Sequence, residues 1–182
     1  MSPRMLLRGE ALQFTLERLA HHLIENHGDF SNTLLVGLQP RGADLARALV
    51  ERLNAAGCPQ VELGFLDSTY YRDDFRRRDE PLSANKTDMP FLVEGKRVVF
   101  IDDVLYTGRS VRSAMDAIHA YGRPSEIELL VLIDRRLSRH LPIQPNYVGK
   151  TVDVVSTERI RVHWSPEDGD HTVELISGTA HG

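Results

Sequence analysis

The stretch that most constrains this chain is Val98-Val-Phe-Ile-Asp-Asp-Val-Leu-Tyr-Thr-Gly-Arg-Ser-Val-Arg112. Four apolar residues run directly into two adjacent carboxylates, a Thr-Gly turn follows, and the next residues read as the start of a helix. An apolar run that ends in acid reads as a buried parallel strand whose carboxyl end opens into a ligand crevice. The Thr107-Gly-Arg-Ser110 segment offers a hydroxyl and backbone N–H groups that a helix N-terminus leaves without intrahelical partners, which suits a phosphate. Acids and a phosphate cradle a few residues apart imply a ligand that carries both a polyol and a phosphate.

The rest of the chain repeats the same grammar. Glu10 to about His27 carries Leu12, Leu16, Leu19, Ala20, Leu23 and Ile24 at helical spacing, and Gly28-Asp29 ends it. Thr33–Leu38 predicts a short buried strand, followed by Gln39-Pro-Arg-Gly42 and a helix from about Ala43 to Ala55. Val61–Leu66, Arg97–Ile101 and Glu126–Ile133 read as further strands, with a helix over Ser110–Ala120 closed by Gly122-Arg-Pro124. Asp134–Pro145 reads as an irregular basic loop, and Val152–Val155, Ile160–Trp164 and Thr172–Ile176 as short strands. Alternating helices and strands predict an α/β fold with a mostly parallel central sheet flanked by helices. Ligands of such sheets sit at the carboxyl ends of strands, so Gln39–Gly42, Asp67–Arg72, Asp102–Ser110 and Asp134–Arg139 are expected to converge. The polar segment from Asp67 to Pro90 is longer than a connection needs to be, which marks it as a lid, a hairpin or a disordered stretch.

Composition narrows the class. At 182 residues the chain suits one domain with a sizeable core, and 41% hydrophobic with 26% charged residues is ordinary for a soluble protein. Cys58 stands alone, which excludes an internal disulfide and favours a reducing compartment. No apolar stretch has the length of a membrane span or a signal peptide, so the expected location is the cytoplasm. A net charge of −4 opposes general affinity for nucleic acid. Arg76-Arg-Arg78 is flanked by Asp73, Asp74, Asp79 and Glu80 and reads as a solvated mixed-charge loop.

The common nucleotide loops, zinc motifs and nucleophile elbows are absent. His21-His22 reads as helix surface rather than a metal site. Asp102-Asp103 alone would fit strand-end carboxylates that cap a turn, or the acidic pocket of a receiver domain, but neither accounts for the Tyr-Thr-Gly-Arg-Ser that follows. The combination resembles the PRPP-binding signature of type I phosphoribosyltransferases. Together with Tyr71-Arg-Asp-Asp74, Gly122-Arg-Pro-Ser125, Leu141-Pro-Ile143 and Tyr147-Val-Gly-Lys150, it resembles the PyrR family, from about Glu10 to Trp164. That family joins a uracil phosphoribosyltransferase to a pyrimidine-operon attenuation protein.

The resemblance implies one phosphoribosyltransferase domain over residues 1–182. Its lid loop would lie at about 67–90, and its small hood and base-recognition region would combine about 134–182 with the N-terminal helix. It implies Mg²⁺-dependent transfer of the phosphoribosyl group from PRPP to uracil, giving UMP and pyrophosphate. Asp102 and Asp103 would face the ribose hydroxyls, stabilise the cationic sugar and assist Mg²⁺ through water and PRPP. Val104, Leu105, Tyr106, Thr107, Gly108, Arg109 and Ser110 would form the PRPP motif and 5′-phosphate cradle. Arg41, Gly42 and Arg72 would bind pyrophosphate, and the segment beginning Asp134-Arg135 would read the base. A homo-oligomer, dimeric or larger, is also implied.

The regulatory half is less complete. Arg18, His21, Arg139 and Lys150 match a basic face that in this family meets a pyrimidine-operon leader mRNA. Glu17 stands where a Thr is usual, Asn26 replaces a basic residue, and Gln144 stands where Arg is expected. The Asp134–His140 loop is one residue longer than the family's pattern, although Arg135, Arg136 and Arg139 restore charge there. Three alternatives therefore stay open: an RNA-binding attenuator with weak activity, a phosphoribosyltransferase that has lost RNA regulation, and a nucleotide-binding module without turnover.

Overall fold

The computed structural model describes residues 3–71, 86–154, 157–165 and 170–177. In chain order the elements are β1 (Arg4–Arg8), α1 (Gly9–His27), β2 (Thr33–Leu38), α2 (Gly42–Ala55), β3 (Glu62–Leu66), β4 (Arg97–Leu105), α3 (Arg109–Ile118), β5 (Glu126–Arg135), β6 (Tyr147–Val152), β7 (Glu158–His163) and β8 (Thr172–Ser177). Among the described residues, a five-stranded sheet runs β3-β2-β4-β5-β6, parallel throughout. This is the expected α/β architecture, with β4 at its centre.

Strand alternation assigns each sheet residue to one of two cores. Leu35, Val99, Ile101, Leu130 and Leu132 face α1 and α2, where Leu16, Leu19, Leu23, Leu45 and Leu49 meet them. Leu34, Val36, Val98, Phe100 and Val131 face the opposite way onto Val111, Ala114, Ala117 and Ile118 of α3. Strands buried on both faces read as unbroken apolar runs, which is why they are visible in the sequence. No helix among the described residues is long and apolar enough to cross a membrane.

A second, antiparallel sheet runs β1-β8-β7. The N-terminal element that enters this hood is the strand Arg4–Arg8, which the sequence reading missed. The following helix packs on α2 and β6 and also meets β1. Another expected strand moves: β6 covers Tyr147–Val152, earlier than the predicted Val152–Val155. The predicted basic loop is also shorter, because Asp134 and Arg135 complete β5 and Arg136–Ser138 form a single 3-10 turn.

At the amino ends of the strands, a buried polar cluster ties the end of α1 to the sheet. His27 Nε2 lies 2.9 Å from Glu128 Oε2, the Tyr147 hydroxyl donates to the same oxygen at 2.7 Å, and Arg97 donates to Glu128 Oε1 at 2.8 Å. Burial holds His27 below its ordinary pKa, against the opposing pull of Glu128.

Candidate active site

The strand carrying the acids does not stop at Ile101. Its ladder with β5 continues, pairing Asp102 with Val131 and Leu105 with Asp134. The carboxylates therefore stand on rigid central strand rather than on a loop. Gly108 then adopts φ +92°, a left-handed conformation open to glycine, and α3 begins at Arg109. From the neighbouring strand, α2 begins at Gly42, where a Cβ would stand 2.0 Å from the Ile101 carbonyl oxygen. Only glycine lets this helix start touch β4, and the contact brings Arg41 alongside the acids.

These segments open on one cavity of about 720 Å³. Its wall holds Arg41, the whole run from Asp102 to Ser110, and Arg135. Gly42, next in the chain to the exposed Arg41, is buried and does not line the cavity. Gln39, Asp67, Ser68 and Thr69 also line it, as the strand-end rule anticipated. Asp67 closes a small turn by accepting hydrogen bonds from Thr69 N at 2.9 Å and Thr69 Oγ1 at 2.5 Å. The segment that leaves here returns against the outer edge of β3, where Phe65 and Asp88 exchange backbone bonds of 2.7 and 2.8 Å. Arg72 and most of the expected lid fall within 72–85, outside the described residues.

Burial raises the pKa of Asp102, and the adjacent Asp103 charge raises it further. Burial raises Asp103 as well, opposed by the positive charge of Arg41. Two neighbouring carboxyls in a poorly solvated site resist ionising together and titrate as a pair. A cationic ligand or transition state placed against them relieves that repulsion. Above them, the Arg135 guanidinium sits over the Tyr106 ring, 4.0 Å from its centroid. Arg159 and Ile160 of β7 complete the wall from the hood. Both escaped the sequence reading, because alternating residues on a hood strand carry no chemical signature.

The expected RNA-face residues do not all gather. Arg18 reaches the sheet edge and donates to the carbonyls of Val148 at 3.2 Å and Gly149 at 2.5 Å, beside exposed Lys150. His21 is exposed one helical turn further along α1. Arg139 departs from this group: it donates to Asp134 Oδ1 at 2.6 Å and to the Tyr106 carbonyl at 2.9 Å. Asp134 is held in that pair and does not line the main cavity. Arg136 is paired with Asp153 at 2.8 Å. Glu17 pairs with Arg52 of α2 at 3.3 Å, and the Asn26 amide donates to the His22 carbonyl at 2.9 Å.

Comparison with known proteins agrees with this geometry. The phosphoribosyl transferase domain family matches residues 3–168. Bifunctional protein PyrR of Gloeothece citriformis is 44% identical over 171 residues, covering 94% of this chain and 96% of that protein. Bifunctional protein PyrR of Halalkalibacterium halodurans is 43% identical over 180 residues, covering 97% and 99%. Among solved structures, a hypoxanthine-guanine phosphoribosyltransferase from Bacillus anthracis superposes with TM-score 0.64 at 17% identity, covering 84% of each chain, a likeness of fold alone. A parallel sheet with acids on its central strand, a glycine turn leading from that strand into a helix, and near-full-length relatives lead to one assignment: the chain belongs to the phosphoribosyl transferase domain family and, within it, to the PyrR group.

Proposed function

We propose that this protein transfers the phosphoribosyl group of PRPP to uracil, releasing pyrophosphate and forming UMP. The observation that carries this reading is the convergence of an acid pair, an N–H-rich turn and Arg41 on one cavity. In the reaction the bond from C1 to pyrophosphate oxygen breaks, and its electron pair leaves on pyrophosphate. The bond from uracil N1 to C1 forms, and the N1 proton is released. Positive charge develops on the ribose ring, as in glycoside cleavage. Asp102 and Asp103 stabilise that charge and orient the ribose hydroxyls, and the cavity needs no protein nucleophile. Residues 107–110 hold the 5′-phosphate at the start of α3. Arg41 neutralises the departing pyrophosphate, and Arg135 with Tyr106 bounds the base.

The donor set fits Mg²⁺: two oxygen ligands whose mutual repulsion a divalent cation relieves. Asp102 and Asp103 would hold it mostly through water and PRPP, and when bound it supplies charge neutralisation to the pyrophosphate.

Incubation with Mg²⁺, PRPP and uracil is expected to yield UMP, and Asp103→Asn should lower kcat/KM by about 100-fold or more. Absence of UMP above background with the unaltered protein would overturn the proposal. A second reading, UMP-dependent binding of a pyrimidine-operon leader RNA, draws support from the exposed His21 and Lys150 beside Arg18 at the β6 edge.

A further inference from the structure

We infer that Arg139 is a positioning residue for the phosphate cradle, acting from behind it rather than on an outward RNA face. The inference rests on the reading of residues 107–110 as the 5′-phosphate site. Arg139 does not line the main cavity; it borders a separate, shallower depression of about 660 Å³ together with Asp134 and Leu141. Its side chain is 17% exposed and that of Asp134 only 11%. The two arms of its guanidinium are divided between the Asp134 carboxylate and the Tyr106 carbonyl. Asp134 is the ladder partner of Leu105, the last residue of β4, so the fork joins the end of β5 to the first peptide of the turn.

The next peptide is gripped by the same segment. The Thr107 carbonyl accepts hydrogen bonds from His140 N at 3.0 Å and Leu141 N at 3.2 Å. Gly108 lies against Ile143 and Leu141 closely enough that a Cβ would stand 3.2 Å from Ile143 Cδ1. A trans peptide is planar, with its C=O and N–H pointing opposite ways. Fixing the carbonyls of Tyr106 and Thr107 toward residues 139–141 therefore turns the N–H groups of Thr107 and Gly108 away from that segment, toward the cavity that both residues line. Successive N–H groups aimed together make an anion-binding concavity. Arg139 fixes the first of the two carbonyls, and its charge-assisted bonds are the stronger kind.

The test separates phosphate binding from turnover. Ribose 5-phosphate binding is measured by calorimetry, alongside KM for PRPP and for uracil, in the full-length protein. Arg139→Gln is expected to weaken ribose 5-phosphate binding and raise the PRPP KM by on the order of tenfold, since small misplacements of positioning groups have large effects. The uracil KM should rise less than the PRPP KM, because the base meets the Tyr106 and Arg135 side chains rather than the two peptides that Arg139 and its neighbours fix. Arg139→Lys should recover part of the loss, because an ammonium can reach one acceptor but lacks the rigid fork that spans both. That variant also carries the test if Arg139→Gln does not fold. Unchanged ribose 5-phosphate affinity in the folded variants, or an equal rise in both KM values, would overturn the inference. Loss of leader-RNA binding with phosphate affinity intact would overturn it in favour of an RNA contact. If the unaltered protein binds neither ribose 5-phosphate nor PRPP, the phosphoribosyl reading itself fails.

Discussion

Asp102 and Asp103 destabilise the ligand-free protein by the same property that, in the proposed reaction, suits them to a cationic sugar. Both have folded-state pKa values above the ordinary carboxylate range. A carboxyl raised in this way binds protons more readily when folded than when unfolded. Stability therefore falls as pH climbs from the unfolded value through the folded one, and the penalty is complete above the latter. Asp103→Asn should accordingly melt higher than the unaltered protein at pH 8, by roughly 2–4 °C for each kcal/mol relieved. The difference should shrink as the solution is acidified toward pH about 4, where an ordinary carboxyl begins to protonate. Thermal denaturation at several pH values checks this, and equal melting temperatures at pH 8 would contradict it. The acids were legible in the sequence because they are contiguous with the strand and turn that place them. Arg139 was legible only as a charge: the sequence shows the cation, not that Asp134 and a backbone carbonyl already hold it.

Among the elements, the site depends on how closely α2 meets β4. Gly42→Ala would drive a methyl into the Ile101 carbonyl. Helix and strand must then separate, at a cost of about 1–3 kcal/mol, as for other overpacked contacts. The expected outcome is a lower melting temperature together with weaker pyrophosphate and PRPP binding, because Arg41 shifts with the helix start. Calorimetric titration with pyrophosphate reads this directly, and unaltered affinity would show that the close contact does not position Arg41. The central strands and helices could be read from periodicity because their faces are fixed by local alternation. β1 could not, since Arg-Met-Leu-Leu-Arg becomes a strand only by pairing with β8 at the far end of the chain. β6 was misplaced for a related reason. Gly149 and Lys150 weaken its local pattern, while its register is set by Leu130 to Arg135 of β5.

For the whole molecule, net charge and its placement decide how RNA would be held. The net charge is −4, and Arg136 and Arg139 are each engaged with an acid. Arg18 and Lys150 remain as the cations at the β6 edge, with the exposed His21 beside them. Two cationic phosphate contacts on a single strand give a slope of log affinity against log salt of about −1.4. A filter-binding titration of a leader hairpin with UMP present should show a slope no steeper than this; a markedly steeper slope would reveal a larger basic face than these residues supply. The antiparallel hood adds a constraint in time. It joins Arg4–Arg8 to Thr172–Ser177, with Glu158–His163 on the far side. On a ribosome, the strand that bears the acid pair leaves the exit tunnel well before β8 does, so β1 has no partner until Thr172–Ser177 has emerged. The strands of the catalytic floor therefore emerge ahead of those of its roof, and β8, the latest of the described strands, is the one that joins β1 to the hood.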